Sequence, residues 1–136
     1  MSYAAIHDAI RTRFKNLVAD AESVPVAYPN APFETPDDQS MWVRLSILDG
    51  QSSQIELEAN DGSTYRRVGN LIAQIFAPAQ QSTGDAMDLA DVIAAAFRRV
   101  YAIPVRYRVP SVQTIGRSNG WWQVNVVCPW ESELIS

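Results

Sequence analysis

Reactive side chains are few in this chain. It holds one histidine, His7, and one cysteine, Cys128. His7 falls on the surface-leaning side of a helical segment, and no serine elbow or Cys/His signature accompanies it. It reads as a solvated or partly packed histidine rather than a general base. Cys128 alternates into an apolar strand face, where a thiol acts as a small hydrophobe and its pKa rises. Asp85, Asp88 and Asp91 lack the sixth-position glycine and terminal glutamate of a calcium loop. Their place at the start of a helix, where carboxylates complement the dipole, explains them instead. Asp37 and Asp38 read as a solvated loop pair, and the glycines are scattered as turn formers with no phosphate-cradling run. The chemistry therefore points away from an enzyme, and to no metal or cofactor.

Contact chemistry is richer. Ten of the 11 basic residues are arginines, Lys15 being the exception. The planar guanidinium suits bidentate pairing and burial at interfaces better than an ammonium does. Arg66, Arg67, Arg98, Arg99, Arg106 and Arg108 would make a track for nucleic acid. The formal net charge of −4 favours surface charge and pairing between subunits instead. Trp121 should point outward beside Gln123 and Asn125. It reads equally as packing across its own hairpin and as a contact residue of the type enriched at interface hot spots. The candidate contact set is Trp42, Arg44, Arg66, Arg67, Arg106, Arg108 and Trp121, with the polar run Gln51, Ser52, Ser53 and Gln54.

These residues need elements to hold them. Ile6, Ile10, Phe14, Leu17 and Val18 recur at helical spacing after Ser2, a cap residue, and the helix ends near Ala21 before Ser23-Val24-Pro25. Three prolines between Tyr28 and Pro36 make a stiff loop, with Phe33 as an anchor. Met41–Leu48 alternates as a strand. Asp49-Gly50 and Asp61-Gly62 mark turns around a long hairpin, whose tip is expected to be mobile in the free monomer. Over Tyr65–Ala77 the apolar spacing fits both a helix and a central strand buried on two sides, and periodicity alone leans to helix. Gly84 opens a second helix with a stripe of Leu89, Val92, Ile93, Ala96, Phe97 and Val100. Ile103–Val109 alternates as an edge strand. Ser118-Asn119-Gly120 joins two further strands, the last carrying Trp122, Val124, Val126, Cys128 and Trp130 on one face.

Length and composition bound the rest. The 136 residues make one domain, spanning 1–136, and 47% hydrophobic residues suffice for a packed core. No apolar run approaches a membrane span and no secretion signal is visible, so synthesis in the cytoplasm is expected.

The order of motifs carries a resemblance. Tyr28-Pro29-Asn30-Ala31-Pro32-Phe33 is followed by Trp42-Val43-Arg44, Tyr65-Arg66-Arg67-Val68-Gly69 and Gln74-Ile75-Phe76-Ala77-Pro78. Then come Gly84, Leu89-Ala90-Asp91, Ala95-Ala96-Phe97-Arg98 and Gly120-Trp121-Trp122-Gln123-Val124-Asn125-Val126. Across nearly the whole chain this resembles the small tail-terminator-like proteins of long-tailed bacteriophages and prophages. The resemblance implies an α+β fold: a mixed, mostly antiparallel sheet with two main helices packed on it, and Tyr65–Ala77 as a strand. It implies a virion tail protein made in the bacterial host cytoplasm, with no enzymatic activity, metal or cofactor. It further implies a homo-oligomeric ring, commonly hexameric, on the head-proximal end of the tail tube. The implied partners are other copies, the tail tube protein and the head-completion or connector protein, with DNA passing through without specific binding. The other role within that assembly is a head–tail connector or tail-completion protein.

Overall fold

Two features of the chain set its architecture: helical segments with one apolar stripe, and strands with one continuous apolar face. The computed structural model describes residues 3–36, 40–50, 53–54, 64–78, 84–118 and 120–135. Helix α1 (Tyr3–Phe14) runs on through a π-helical turn (Lys15–Ala19) into the short α2 (Asp20–Glu22). Ile6, Ile10, Phe14 and Val18, each four residues apart, are fully buried. The widened turn carries Leu17 away from this stripe, so it is exposed rather than part of the apolar face. Helix α3 (Gly84–Phe97) buries Ala86, Leu89, Ala90, Ile93, Ala94 and Phe97.

The eight strands of the described residues form one sheet, in the order β1-β2-β4-β8-β6-β5. They are β1 (Val26–Ala27), β2 (Trp42–Asp49), β3 (Ser53–Gln54), β4 (Thr64–Pro78), β5 (Tyr101–Ala102), β6 (Val105–Tyr107), β7 (Ser111–Ser118) and β8 (Trp121–Ile135). β3 pairs with β4, and β7 with β8. Only the β1–β2 pair is parallel, so the sheet is mixed and mostly antiparallel and the fold is α+β. The spine is the β4–β8 pair, in register from Thr64 opposite Ile135 to Pro78 opposite Trp121.

Tyr65–Ala77 is therefore strand, as the resemblance implied, and the helical reading of its periodicity is corrected. The cause is burial on both faces. Leu71, Ala73, Ile75 and Ala77 enter the core beneath the helices, while Phe76 is also buried on the opposite face. A central strand covered on both sides loses the alternation that marks an exposed one. The edge strand expected over Ile103–Val109 is likewise divided. A turn at Ile103-Pro104 folds Tyr101–Ala102 back onto Val105–Tyr107.

The helices cover one sheet face, against Val43, Leu45, Leu71, Ala73, Ile75, Val124, Val126, Cys128 and Trp130. Arg13 ties them together: its Nε and Nη2 donate to the Ala96 carbonyl at 2.9 and 2.7 Å. A cation there meets the negative end of α3. The expected hairpin between Asp49 and Asp61 falls mostly outside the described residues; its described parts are Asp49, Gly50 and β3.

Candidate interaction surface

Strand geometry sends alternate residues to the face away from the helices. On β2 these are Trp42, Arg44 and Ser46; on β4, Arg66, Gln74 and Phe76; on β8, Trp121, Gln123 and Glu131. Registers place Trp42 opposite Phe76, and Phe76 opposite Gln123. The candidate contact residues gather there at two ends.

One end is aromatic. Trp42 stacks between Phe33 at 5.1 Å and Phe76 at 4.5 Å. Trp121 meets Trp42 edge-on at 6.2 Å from two strands away. The Arg44 guanidinium lies over the Trp42 and Phe76 rings at 5.5 and 5.6 Å. Such contacts orient an arginine without consuming its hydrogen-bond donors. Trp42 itself is only 5% exposed, so Arg44 and the partly exposed Trp121 form the outer layer of this end.

The other end is charged. Arg66, Arg106 and Arg108 converge on Glu131 at 3.7, 3.6 and 2.6 Å. The carboxylate side chain is 8% exposed, whereas the three arginine side chains are 41, 48 and 55% exposed. β8 supplies Glu131, β4 supplies Arg66, and β6 aligns Arg106 directly across from Glu131. Arg106 also lies over the Tyr101 ring at 5.0 Å. Burial of a charge costs several kcal/mol unless ion pairs and hydrogen bonds offset it, and the arginines supply that offset. Arg99, Arg106 and Arg108 line a recess of about 440 Å³ with Tyr101, Tyr107 and Val109.

The remaining candidates lie elsewhere. Arg67 points to the helical face, 4.3 Å over the Tyr3 ring. Ser53 and Gln54 form β3 opposite Arg66 and Tyr65. Gln51 and Ser52 lie outside the described residues. Glu131 and Tyr101 were not singled out by sequence. Glu131 carried one signal: it is an acidic residue directly following an apolar face in the last strand.

The reactive residues take structural positions. His7 Nε2 is 2.9 Å from Asp49 Oδ1, joining α1 to the end of β2. Cys128 is buried, and burial pushes its thiol pKa up to about 12. Burial likewise raises the Tyr107 phenol. A groove of about 610 Å³ between α1 and the β5–β6 turn includes Arg13, Leu17 and Ile103 in its lining. Arg13 is already engaged with Ala96. Among the described residues, no group of three or more His, Cys, Asp or Glu is placed to hold a metal. No helix there is long and apolar enough to cross a membrane.

Comparison with known proteins bears on both fold and role. No curated protein matches the sequence. A solved structure aligns with a TM-score of 0.63 and 20% identity, covering 92% of this chain and 94% of its own, which supports the fold. The family model for the phage tail terminator protein matches residues 5–130. With nearly the whole domain inside that match, the chain belongs to the phage tail terminator family, a structural component of the phage tail.

Proposed function

We propose that this protein forms a ring, a hexamer, that caps the head-proximal end of the tail tube, ends tube polymerisation and joins the tail to the head. The observation that carries this reading is the family match across residues 5–130. Its partners are further copies of itself, the tail tube protein and a head-completion or connector protein. The protein performs no catalysis, and DNA passes through the ring without specific binding.

Physical scale agrees. A domain of this length has a radius of gyration of roughly 14 Å, too small to encircle a duplex alone. Head-to-tail contacts between different patches of identical subunits close into rings. An acidic chain also avoids the phosphate neutralisation that would hold DNA in place.

Light scattering on the purified protein, alone and with tail tube protein, tests the proposal together with negative-stain imaging. Rings at tube ends are the expected result. A monomer at high concentration, with no rings beside tube protein, would overturn it.

A further inference from the structure

Two exposed surfaces of this chain carry opposite charge. Around the 440 Å³ recess, Arg99, Arg106 and Arg108 supply three cations. Among the described residues the nearby anion is Glu131, which is buried and shared with Arg66. A carboxylate accepts about four hydrogen bonds, whereas each guanidinium offers about five donors. Glu131 therefore leaves donors on Arg106 and Arg108 for another acceptor. Arg99 takes part in no ion pair among the described residues. Tyr101 holds Arg106 from below through its ring, so this receptor is partly ordered before any partner arrives.

The opposite charge lies on α3. Asp85, Asp88 and Asp91 are exposed and three residues apart, hence along one side of the helix. No ion pair among the described residues engages them. From Asp85 to Phe97 the helix rises about 18 Å, and from Asp91, the nearest of the three, about 9 Å, against a screening length of about 8 Å in physiological salt. Among the described residues no ion pair joins the two surfaces within one copy.

We infer that the arginine recess receives the Asp85–Asp88–Asp91 edge of α3 from a neighbouring copy, forming the head-to-tail contact of the ring. This rests on the ring reading above. The pairing joins two different patches, as a closed heterologous assembly requires. Two of its guanidiniums, Arg106 and Arg108, already hold one protein carboxylate, that of Glu131, and incoming aspartates repeat that chemistry. Its confined, tyrosine-lined shape suits a helix edge better than the extended phosphate track of a duplex.

The test uses the full chain and two charge reversals. Asp88→Arg with Asp91→Arg leaves Glu131 and the recess untouched. Arg106→Glu leaves Arg108, the 2.6 Å partner of Glu131 in the parent, in place. Circular dichroism checks folding, and sedimentation reads assembly across a salt series. Each variant alone should associate at least tenfold more weakly than the parent, and parent assembly should weaken as salt rises. An equimolar mixture should recover assembly, because each reversed surface finds its complement.

If the parent assembles and the double aspartate variant assembles equally well, this contact is wrong while the ring stands. If the parent forms no ring alone or on tube protein, the ring reading falls and takes this contact with it. Loss of salt-sensitive DNA retention in Arg106→Glu, with assembly intact, would reassign the recess to phosphate and overturn the inference. Should Arg106→Glu fail to fold, the aspartate variant decides alone.

Discussion

The indole of Trp130 occupies the space that a side chain on Gly69 would fill. The two residues are cross-strand partners in the β4–β8 spine, and a Cβ at Gly69 would also meet the Leu48 carbonyl. Glycine here serves close approach: β2, β4 and β8 come together around a fully buried tryptophan. Gly69→Ala should therefore destabilise the fold despite the modest intrinsic preference of strands for alanine over glycine. Overpacking of this kind costs about 1–3 kcal/mol. Urea denaturation should show the midpoint falling with the slope unchanged, and an unaltered midpoint would refute the packing argument.

Glu131 and its three arginines predict an asymmetric response to substitution. Glu131→Gln removes the anion on which Arg66, Arg106 and Arg108 converge, leaving like charges facing one another. Breaking a buried pair costs about 3–5 kcal/mol, and the half-exposed arginines reduce that toward about 2 kcal/mol through solvent screening. Arg106→Gln should cost less, about 0.5 kcal/mol, since the shorter Arg108 contact persists. Thermal melts of the two variants check the order; equal losses would mean that the cluster is not organised around its carboxylate.

Much of this arrangement was legible in sequence, and the parts that were not share a cause. Alternation disclosed β2 and the core face of β8 because one side of each strand is uniformly apolar. It failed over Tyr65–Ala77, where Phe76 is buried on the face opposite Leu71, Ala73 and Ile75. The burial of Trp42 depends on Phe33 arriving from the proline-rich loop, which strand periodicity does not report. The arginines were visible as candidates, but their meeting at Glu131 requires β4, β6 and β8 to be adjacent. Sequence separation hides such a cluster; sheet order creates it.

Trp42 and Trp121 should separate folding from association. Trp42 is buried within the stack, so Trp42→Ala should cost about 3–5 kcal/mol as a core aromatic truncation. Trp121 touches it edge-on from the partly exposed outer layer. Trp121→Ala should lower stability by about 1 kcal/mol while weakening self-association more. Chemical denaturation paired with sedimentation would check both, and a Trp121 variant that unfolds readily but associates normally would return that residue to a purely packing role.

Cys128 gives a prediction in pH. Its thiol is raised from an ordinary value of 9.0 to about 12 because burial disfavours the thiolate. A group whose pKa is higher in the folded state stabilises that state fully below its unfolded pKa. That contribution declines as pH rises from about 9 to about 12, since the unfolded chain can ionise and the folded chain resists it. The raised Tyr107 phenol adds to the decline above its ordinary value of 10.0. Denaturation at pH 8, 9 and 10 should show stability falling over the upper step, and Cys128→Ala should flatten that fall after correction for its own cavity cost. At pH 8 a disulfide reagent should label the native thiol only as fast as the protein opens. Immediate labelling of folded protein would contradict the buried, neutral state of this sulfur.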